Sequence, residues 1–375
     1  MCGDEPGIIE VCGQMYRKSF KGKKVAVAGL LKTRCGLQRG AELMLEKMKA
    51  DQISAMPVCL SEKLGHSANI VQQGRVLFQP EDLNYIYPSD LILHINPPLF
   101  TSALSLFSSE VLQNSSLIGY WAWEINKISD EWQHAARFCD EIWVPSEFVA
   151  DTLSRELTDF KGLIEVRPHP VDVDAVEKTT LSKRLEARAE FNIPSEHFVL
   201  GTSFSFDSNY SRKNPAGSVE AFKKAFGREE KDTQLLIRCH DSSGHPHLLD
   251  DLRGHIGGDE RIKILDDVKN GSIRSFYRVI DSYISLHRSE GYGLTLSEAA
   301  QSGIPVLSTS WGLAEDIACR KEVMPVGYEL IAVEDLQNFY TKFPGATWAE
   351  PNISHAAELL RKLYQDFHFK KRNEL

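Results

Sequence analysis

No two cysteines of this chain stand in a C-x-x-C pair, and the seven present (Cys2, Cys12, Cys35, Cys59, Cys139, Cys239, Cys319) are scattered and odd in number. That excludes a disulfide framework or a zinc ribbon as the basis of the fold and fits reduced thiols in a reducing compartment. A surplus of positive charge is missing too. The 43 Lys and Arg against 52 Asp and Glu leave a net charge of −9, the wrong sign for a general nucleic-acid binder. No stretch reaches the roughly 18–20 apolar residues that cross a bilayer. No internal repeat or low-complexity tract interrupts the sequence. The start, M-C-G-D-E-P-G, is acidic and has no signal-peptide core, so a cytoplasmic protein is expected. Any membrane contact would be peripheral, on the inner face of the cell membrane. Basic clusters at Arg17, Lys18, Lys21, Lys23 and Lys24 and at Lys370, Lys371 and Arg372 could supply it, with a solvated charged surface as the competing reading.

The 375 residues hold two domains of ordinary size. Residues 23–31, K-K-V-A-V-A-G-L-L, form an apolar run bounded by lysines, as expected of a strand buried on both faces of a parallel sheet. A loop, T-R-C-G-L-Q-R-G, and a helix to about residue 49 follow. I-S-A-M-P-V-C-L, L-I-L-H-I-N-P-P, S-L-I-G-Y-W and E-I-W-V-P continue the strand series. A second series begins near residue 198 with F-V-L-G-T-S-F, Q-L-L-I-R-C, I-K-I-L, S-Y-I-S-L and I-P-V-L-S-T. Strands alternating with helices predict two doubly wound α/β domains. Between the series, residues 166–174 carry Pro168 and Pro170 and read as an extended interdomain linker. Ligands of such sheets bind beyond the carboxyl ends of the strands.

The chemistry concentrates in residues 283–303, Y-I-S-L-H-R-S-E-G-Y-G-L-T-L-S-E-A-A-Q-S-G. This is a short apolar strand, a glycine turn and an amphipathic helix. The N–H groups that open a helix suit an anion, and Gly291 and Gly293 remove side chains that would hold a phosphate off. Glu290 and Glu298, eight positions apart, can accept hydrogen bonds from vicinal hydroxyls. Phosphate and polyol together describe a nucleotide sugar.

The spacing of Glu290 and Glu298 resembles the E-x7-E signature of retaining GT-B glycosyltransferases of family 4. Residues 204–226, F-S-F-D-S-N-Y-S-R-K-N-P-A-G-S-V-E-A-F-K-K-A-F, are similar to that family's donor-phosphate block. G-Y-W-A-W-E, then D-E-I-W-V-P-S-E-F-V, over residues 119–149, resemble a bacterial branch that builds surface polysaccharide or lipopolysaccharide. The resemblance implies an α/β GT-B fold of two Rossmann-like domains facing across a cleft. Residues 1–170 would be the acceptor-side domain and 171–345 the nucleotide-sugar domain. Residues 346–375 would be a C-terminal helix that crosses back to the first domain.

It also implies site roles. Lys213, with Arg212, would stabilise charge on the departing phosphate, as a fixed cation does best in the transition state. Glu298 would bind the ribose hydroxyls and Glu290 would face the transferred sugar. Backbone around Gly291, Tyr292, Gly293, Leu294 and Thr295 would hold the diphosphate. Many family members carry another cation earlier in the phosphate block, where this chain reads S-F-S-F-D-S; Arg238 or Arg288 could replace it. Gly36, in C-G-L-Q-R-G, would admit donor backbone contact, with a plain turn glycine as the alternative. On the acceptor side stand His94, Asn96, Trp121, Trp123 and Glu124. The tryptophans read either as sugar platforms or as core. Glu124 is costly to bury unpaired and could orient or deprotonate an acceptor hydroxyl.

Asp172 and Asp174 spell D-V-D but fall beside prolines in the linker, not over a donor site, so no metal role is assigned. His245 and His247 show no cysteine or carboxylate partner at fitting spacing. The expected enzyme is a retaining, metal- and cofactor-independent hexosyltransferase. It would take a hexose or deoxyhexose from a nucleotide diphosphate sugar, GDP-mannose slightly favoured, to a glycan or lipid-linked oligosaccharide. One alternative is a nucleotide-sugar epimerase or a phosphorylase; no segment resembles the latter's pyridoxal phosphate lysine. Another is a non-catalytic nucleotide-sugar-binding subunit of a glycosyltransferase complex. The stretch W-G-L-A-E-D-I after Thr309 keeps it open.

Overall fold

A computed structural model describes residues 20, 22–68, 70, 75–171, 180–266 and 273–373. The chain divides into two compact units, Met1–Asp172 and Val173–Leu375.

The first unit contains a six-stranded parallel sheet in the order β2-β1-β3-β4-β5-β6. Its strands are β1 (Val25–Gly29), β2 (Ala55–Cys59), β3 (Asp90–His94), β4 (Ser116–Tyr120), β5 (Glu141–Val144) and β6 (Leu163–Val166). Every residue of β1 and β3 is buried, as their continuous apolar runs require in a sheet covered on both faces. The helices are α1 (Gly36–Ala50), α2 (Pro97–Leu104), α3 (Ser109–Asn114), α4 (Asp130–Ala136) and α5 (Glu147–Glu156). Ser108 and Ser146 start α3 and α5 by accepting the N–H of Val111 and Val149, which satisfies one orphan donor of each first turn.

The second unit also contains a six-stranded parallel sheet, with a different strand order. Its parallel sheet runs β12-β11-β10-β7-β8-β9. The strands are β7 (Phe198–Ser205), β8 (Thr233–His240), β9 (Ile262–Asp266), β10 (Ser282–Ser285), β11 (Val306–Thr309) and β12 (Val323–Val326). An antiparallel pair, β13 (Tyr328–Ala332) and β14 (Thr347–Pro351), follows. The helices are α6 (Leu181–Glu190), α7 (Tyr210–Lys213), α8 (Pro215–Ala225), α9 (Pro246–Ile256), α10 (Ile273–Val279), α11 (Leu294–Gln301), α12 (Glu315–Ala318) and α13 (Ile353–Asn373).

Ala356, Ala357, Leu360 and Leu363 of α13 join the core of the second unit with Phe198, Phe222 and Phe226. The two units divide within the proline-bearing piece at 166–174. The Arg167 N–H donates to Val144 O at 2.7 Å, extending the β5–β6 ladder, and Arg167, His169 and Val171 are buried. Asp172 and Asp174 lie outside the described residues, as do Arg17, Lys18 and Lys21 and the side chains of Lys370, Lys371 and Arg372. Of the remaining basic cluster, Lys23 pairs with Asp90 at 3.1 Å and Lys24 donates to Ile86 O. No helix among the described residues is long and apolar enough to cross a membrane.

Candidate functional site

The ionisable residues gather in the second unit, beyond the carboxyl ends of β7, β8 and β10. There the four-residue helix α7 is held from both ends by asparagines in the left-handed region, Asn209 (φ 69°) and Asn214 (φ 47°). Asn209 Oδ1 accepts the N–H of Arg212, and its amide donates to Asp335. Asn214 accepts from Gly217 N and donates to Leu286 O at 2.9 Å, locking α7 onto the end of β10. Asparagine tolerates positive φ because its short polar chain bonds locally. The Arg288 N–H then donates to Arg212 O at 2.7 Å, so the α7 segment and the segment after β10 move as one.

This frame brings Lys213 and Arg212 onto Glu290. The Lys213 ammonium bonds Oε1, and Arg212 Nη1 lies 3.4 Å from Oε2. Burial pushes the Glu290 carboxyl up, but Lys213, Arg212 and His287 together outweigh it and hold it at about 2. Arg212 is itself buried; it donates to Ser289 O and to Ser208 O and Oγ, so it braces the loop. Lys213 is the more accessible cation. His287, unnoticed in the sequence, is sealed beneath. Burial drives its imidazole down to about 4 despite the opposing pull of Glu290, so it is neutral near pH 7.

Two glycines make room. Gly293 (φ 101°) caps α11 with no side chain over the helix mouth, where the first N–H groups have no intrahelical acceptor. A Cβ on Gly312 (φ 70°) would press on the backbone N and O of Glu290 at 3.1 Å. Leu294 and Thr295 occupy the first turn of α11, half-buried, and Gly291 lies in the turn before it.

Glu298 sits farther along α11, half-buried, and receives the Tyr277 hydroxyl on Oε2 at 3.0 Å. The hydroxyl of Tyr283 meets Ser203 N and O at 3.2 Å each. Burial raises the Tyr283 phenol, hydrogen bonds from Thr295 and Ser203 oppose it, and the charges of Glu290 and Glu298 raise it further. Both tyrosines thus underlie the acidic pair. Sequence reading missed them because each sits in an apolar run that reads as core.

The proposed replacement cations separate. Arg238, on β8, contacts His240 Nε2 and lies 3.5 Å from Ser203 Oγ, near enough to Tyr277 to favour its ionised form. Arg288 is turned elsewhere. It grips Glu350 of β14 at 2.6 and 3.2 Å, donates to Ser211 O and lies over the Trp348 ring. That correction has a plain cause, since a fork-shaped guanidinium prefers a bidentate carboxylate. Tyr292 is also a brace: its ring is buried and its hydroxyl donates to Asp316 of α12 at 3.0 Å.

The residues expected on the acceptor side lie in the first unit and are largely sealed. Trp121 is fully buried, edge-on to Phe100 and Trp132. Trp123 packs on Trp132 and donates to Lys127 O. Both are core, not sugar platforms. Asn96 exchanges two hydrogen bonds with the backbone of Ala122 and holds that loop. His94 is fully buried, stacked on Tyr120 at 4.3 Å, with burial lowering it to about 3. Glu124 remains half-buried in the loop after β4. Gly36 opens α1 with empty space around it, so packing there does not demand glycine. Gly40 is the constrained one, for a Cβ would lie 2.4 Å from His169 and 3.0 Å from His94. His245 does have a carboxylate, Asp207, at 2.7 Å. No group of three or more His, Cys, Asp or Glu side chains is gathered for a metal among the described residues.

Residues 185–336 match the family model described as Glycosyl transferases group 1. Every second-unit residue from Ser203 to Gly312 named above falls within it. The chain is 24% identical over 263 residues to the serotype-specific mannosyltransferase WbdA of Escherichia coli, covering 65% of this chain and 31% of that protein. It is 23% identical over 185 residues to the O-antigen biosynthesis glycosyltransferase WclY of Escherichia coli, covering 49% and 46%. It therefore spans less than half the length of these curated relatives. A glycosyltransferase from Rickettsia africae ESF-5 superposes with a TM-score of 0.65 at 15% identity, covering 91% of this chain and 88% of the other. WaaG, a glycosyltransferase involved in lipopolysaccharide biosynthesis, gives 0.59 at 14%, covering 90% of each. The fold is of the GT-B class, with two Rossmann-like units.

Proposed function

We propose that this chain is a retaining glycosyltransferase. It moves a hexose or deoxyhexose from a nucleotide diphosphate sugar to a hydroxyl of a glycan or lipid-linked oligosaccharide, without a metal. The observation that carries the reading is the convergence of Lys213 and Arg212 on Glu290 at the glycine-capped mouth of α11, with Glu298 on the same helix. Two cations against one carboxylate leave a positive charge where a pyrophosphate would arrive, and the open helix start adds amide donors. As the bond from the sugar's anomeric carbon to the phosphate oxygen breaks, negative charge grows on that oxygen and Lys213 stabilises it. The acceptor oxygen bonds to the anomeric carbon on the same face, and its proton passes to the departing phosphate. Glu290, ionised near pH 7, accepts hydrogen bonds from the sugar hydroxyls, and Glu298 from the ribose.

A mannose donor is supported by the name of one relative, a mannosyltransferase. A solved neighbour of similar fold, HepE from Anabaena, is complexed with UDP and glucose, so UDP-glucose belongs in the same test. Incubation with radiolabelled GDP-mannose or UDP-glucose and a membrane extract should label the lipid fraction. Nucleotide binding with no transfer from any donor would favour the non-catalytic subunit instead.

A further inference from the structure

Glu298 is only half-buried, and a glutamate side chain left to itself samples many rotamers at an entropic cost to whatever it binds. Tyr277 restricts that freedom. Tyr277, on α10, is 3% exposed, and its hydroxyl reaches Glu298 Oε2 at 3.0 Å and Thr295 O at 3.1 Å. A phenol has a single proton to donate, and the charged acceptor is the stronger of the two. The ring is held in turn, tilted against Phe276 at 6.1 Å and edge-on to Tyr283 at 6.2 Å. Burial and the neighbouring Glu298 charge both keep the phenol protonated, so it is a permanent donor.

We infer that Tyr277 is a positioning residue that fixes the Glu298 carboxylate in the one orientation suited to a ribose diol, and so sets the preference for ribonucleotides over 2′-deoxyribonucleotides. The inference rests on the donor-site reading above, because it needs Glu298 to meet the ribose. It adds that the discrimination depends on a side chain that never touches the ligand. Losing the hydroxyl would leave the pyrophosphate grip at Lys213 untouched.

The test is calorimetric titration of the full chain with UDP, GDP and their 2′-deoxy counterparts, for wild type and Tyr277→Phe. Wild type should bind the better ribonucleotide about ten- to a hundredfold more tightly than its deoxy form, the usual yield of a hydrogen bond to a charged acceptor. In Tyr277→Phe that ratio should fall toward one through loss of ribonucleotide affinity, with deoxynucleotide affinity unchanged. An unchanged ratio, or equal weakening of both forms, overturns the inference and leaves Tyr277 a packing residue. Absence of any ribose preference in wild type would instead defeat the ribose role of Glu298, and the inference with it. If Tyr277→Phe folds poorly, the Glu298→Ala background decides: Tyr277→Phe should cost no further ribonucleotide affinity there, and an additional loss contradicts the coupling.

Discussion

The carboxyl ends of the two parallel sheets are built from opposite materials. In the first unit that rim is aromatic and closed: His94 stacks on Tyr120, Trp121 is wedged between Phe100 and Trp132, and Gly40 exists to let His94 and His169 approach. In the second unit it is charged, with Lys213, Arg212 and Glu290 in contact and Glu298 half-open on α11. Two parallel sheets of different strand order thus carry a packed rim in one case and a charged rim in the other. The charged groups stand on α7, in the turn after β10 and on α11, beyond the strand ends. Under the proposed function, groups in the first rim act on stability, and groups in the second on binding and turnover.

The largest effect should come from the closed rim. Trp121→Ala removes a wholly buried indole and should cost about 3–5 kcal/mol of stability, read as a lowered denaturation midpoint. Nucleotide affinity of the remaining folded protein should not change. Loss of affinity at full stability would blur the division between the rims.

Lys213→Ala should do the reverse. Removing one fixed donor to developing charge typically lowers kcat about 10²–10³-fold, with a much smaller change in nucleotide affinity and little in melting temperature. Equal loss of affinity and turnover would make Lys213 a binding residue rather than a transition-state one.

Acid should separate the units next. In the folded first unit the His94 pKa is lowered from 6.5 to about 3. Between those values the unfolded chain binds a proton that the folded unit excludes, so stability falls as pH drops from 6.5 toward 3. His169 is shifted the same way, by burial and then by His94 and Arg39. In the second unit His287 acts alike down to about 4. Glu290 adds a later loss, as pH falls from its unshifted 4.5 toward 2. Tryptophan fluorescence, to which the first unit contributes Trp121, Trp123, Trp132 and Trp143, four of the six tryptophans, should therefore change early in an acid titration. His94→Phe, which keeps the stack on Tyr120, should move that midpoint to lower pH. An unmoved midpoint would show that His94 is not what limits acid stability.

Much of this was legible in the sequence, and the reasons differ by element. The apolar runs of β1, β3, β7 and β8 announce themselves because strands buried on both faces cannot alternate. The strands β6, β12, β13 and β14 escaped notice. L-I-E-V and V-M-P-V are four residues each, and β13 is exposed throughout. Charged site residues were readable because Lys213, Glu290 and Glu298 stand in recognisable blocks. The opposite fates of Arg238 and Arg288 were not readable, since they depend on where β14 places Glu350, 62 residues beyond Arg288. The tryptophans of G-Y-W-A-W-E could be platform or core on sequence grounds, and only the ring contacts of Trp132 decide for core. Tyr277 and Tyr283 show the same blindness in reverse: apolar surroundings concealed hydroxyls that end on polar partners.

The central claim is that the open rim recognises a nucleoside diphosphate through a cation at one end and a carboxylate at the other. Calorimetric titration of the full chain with UDP and GDP, for wild type and Glu298→Ala at equal melting temperature, tests it most directly. The account predicts saturable binding of at least one nucleotide by wild type, weakened about tenfold or more in the variant, as loss of a charged acceptor requires. Heat signals absent for both nucleotides, or identical affinities in the two proteins, would contradict it.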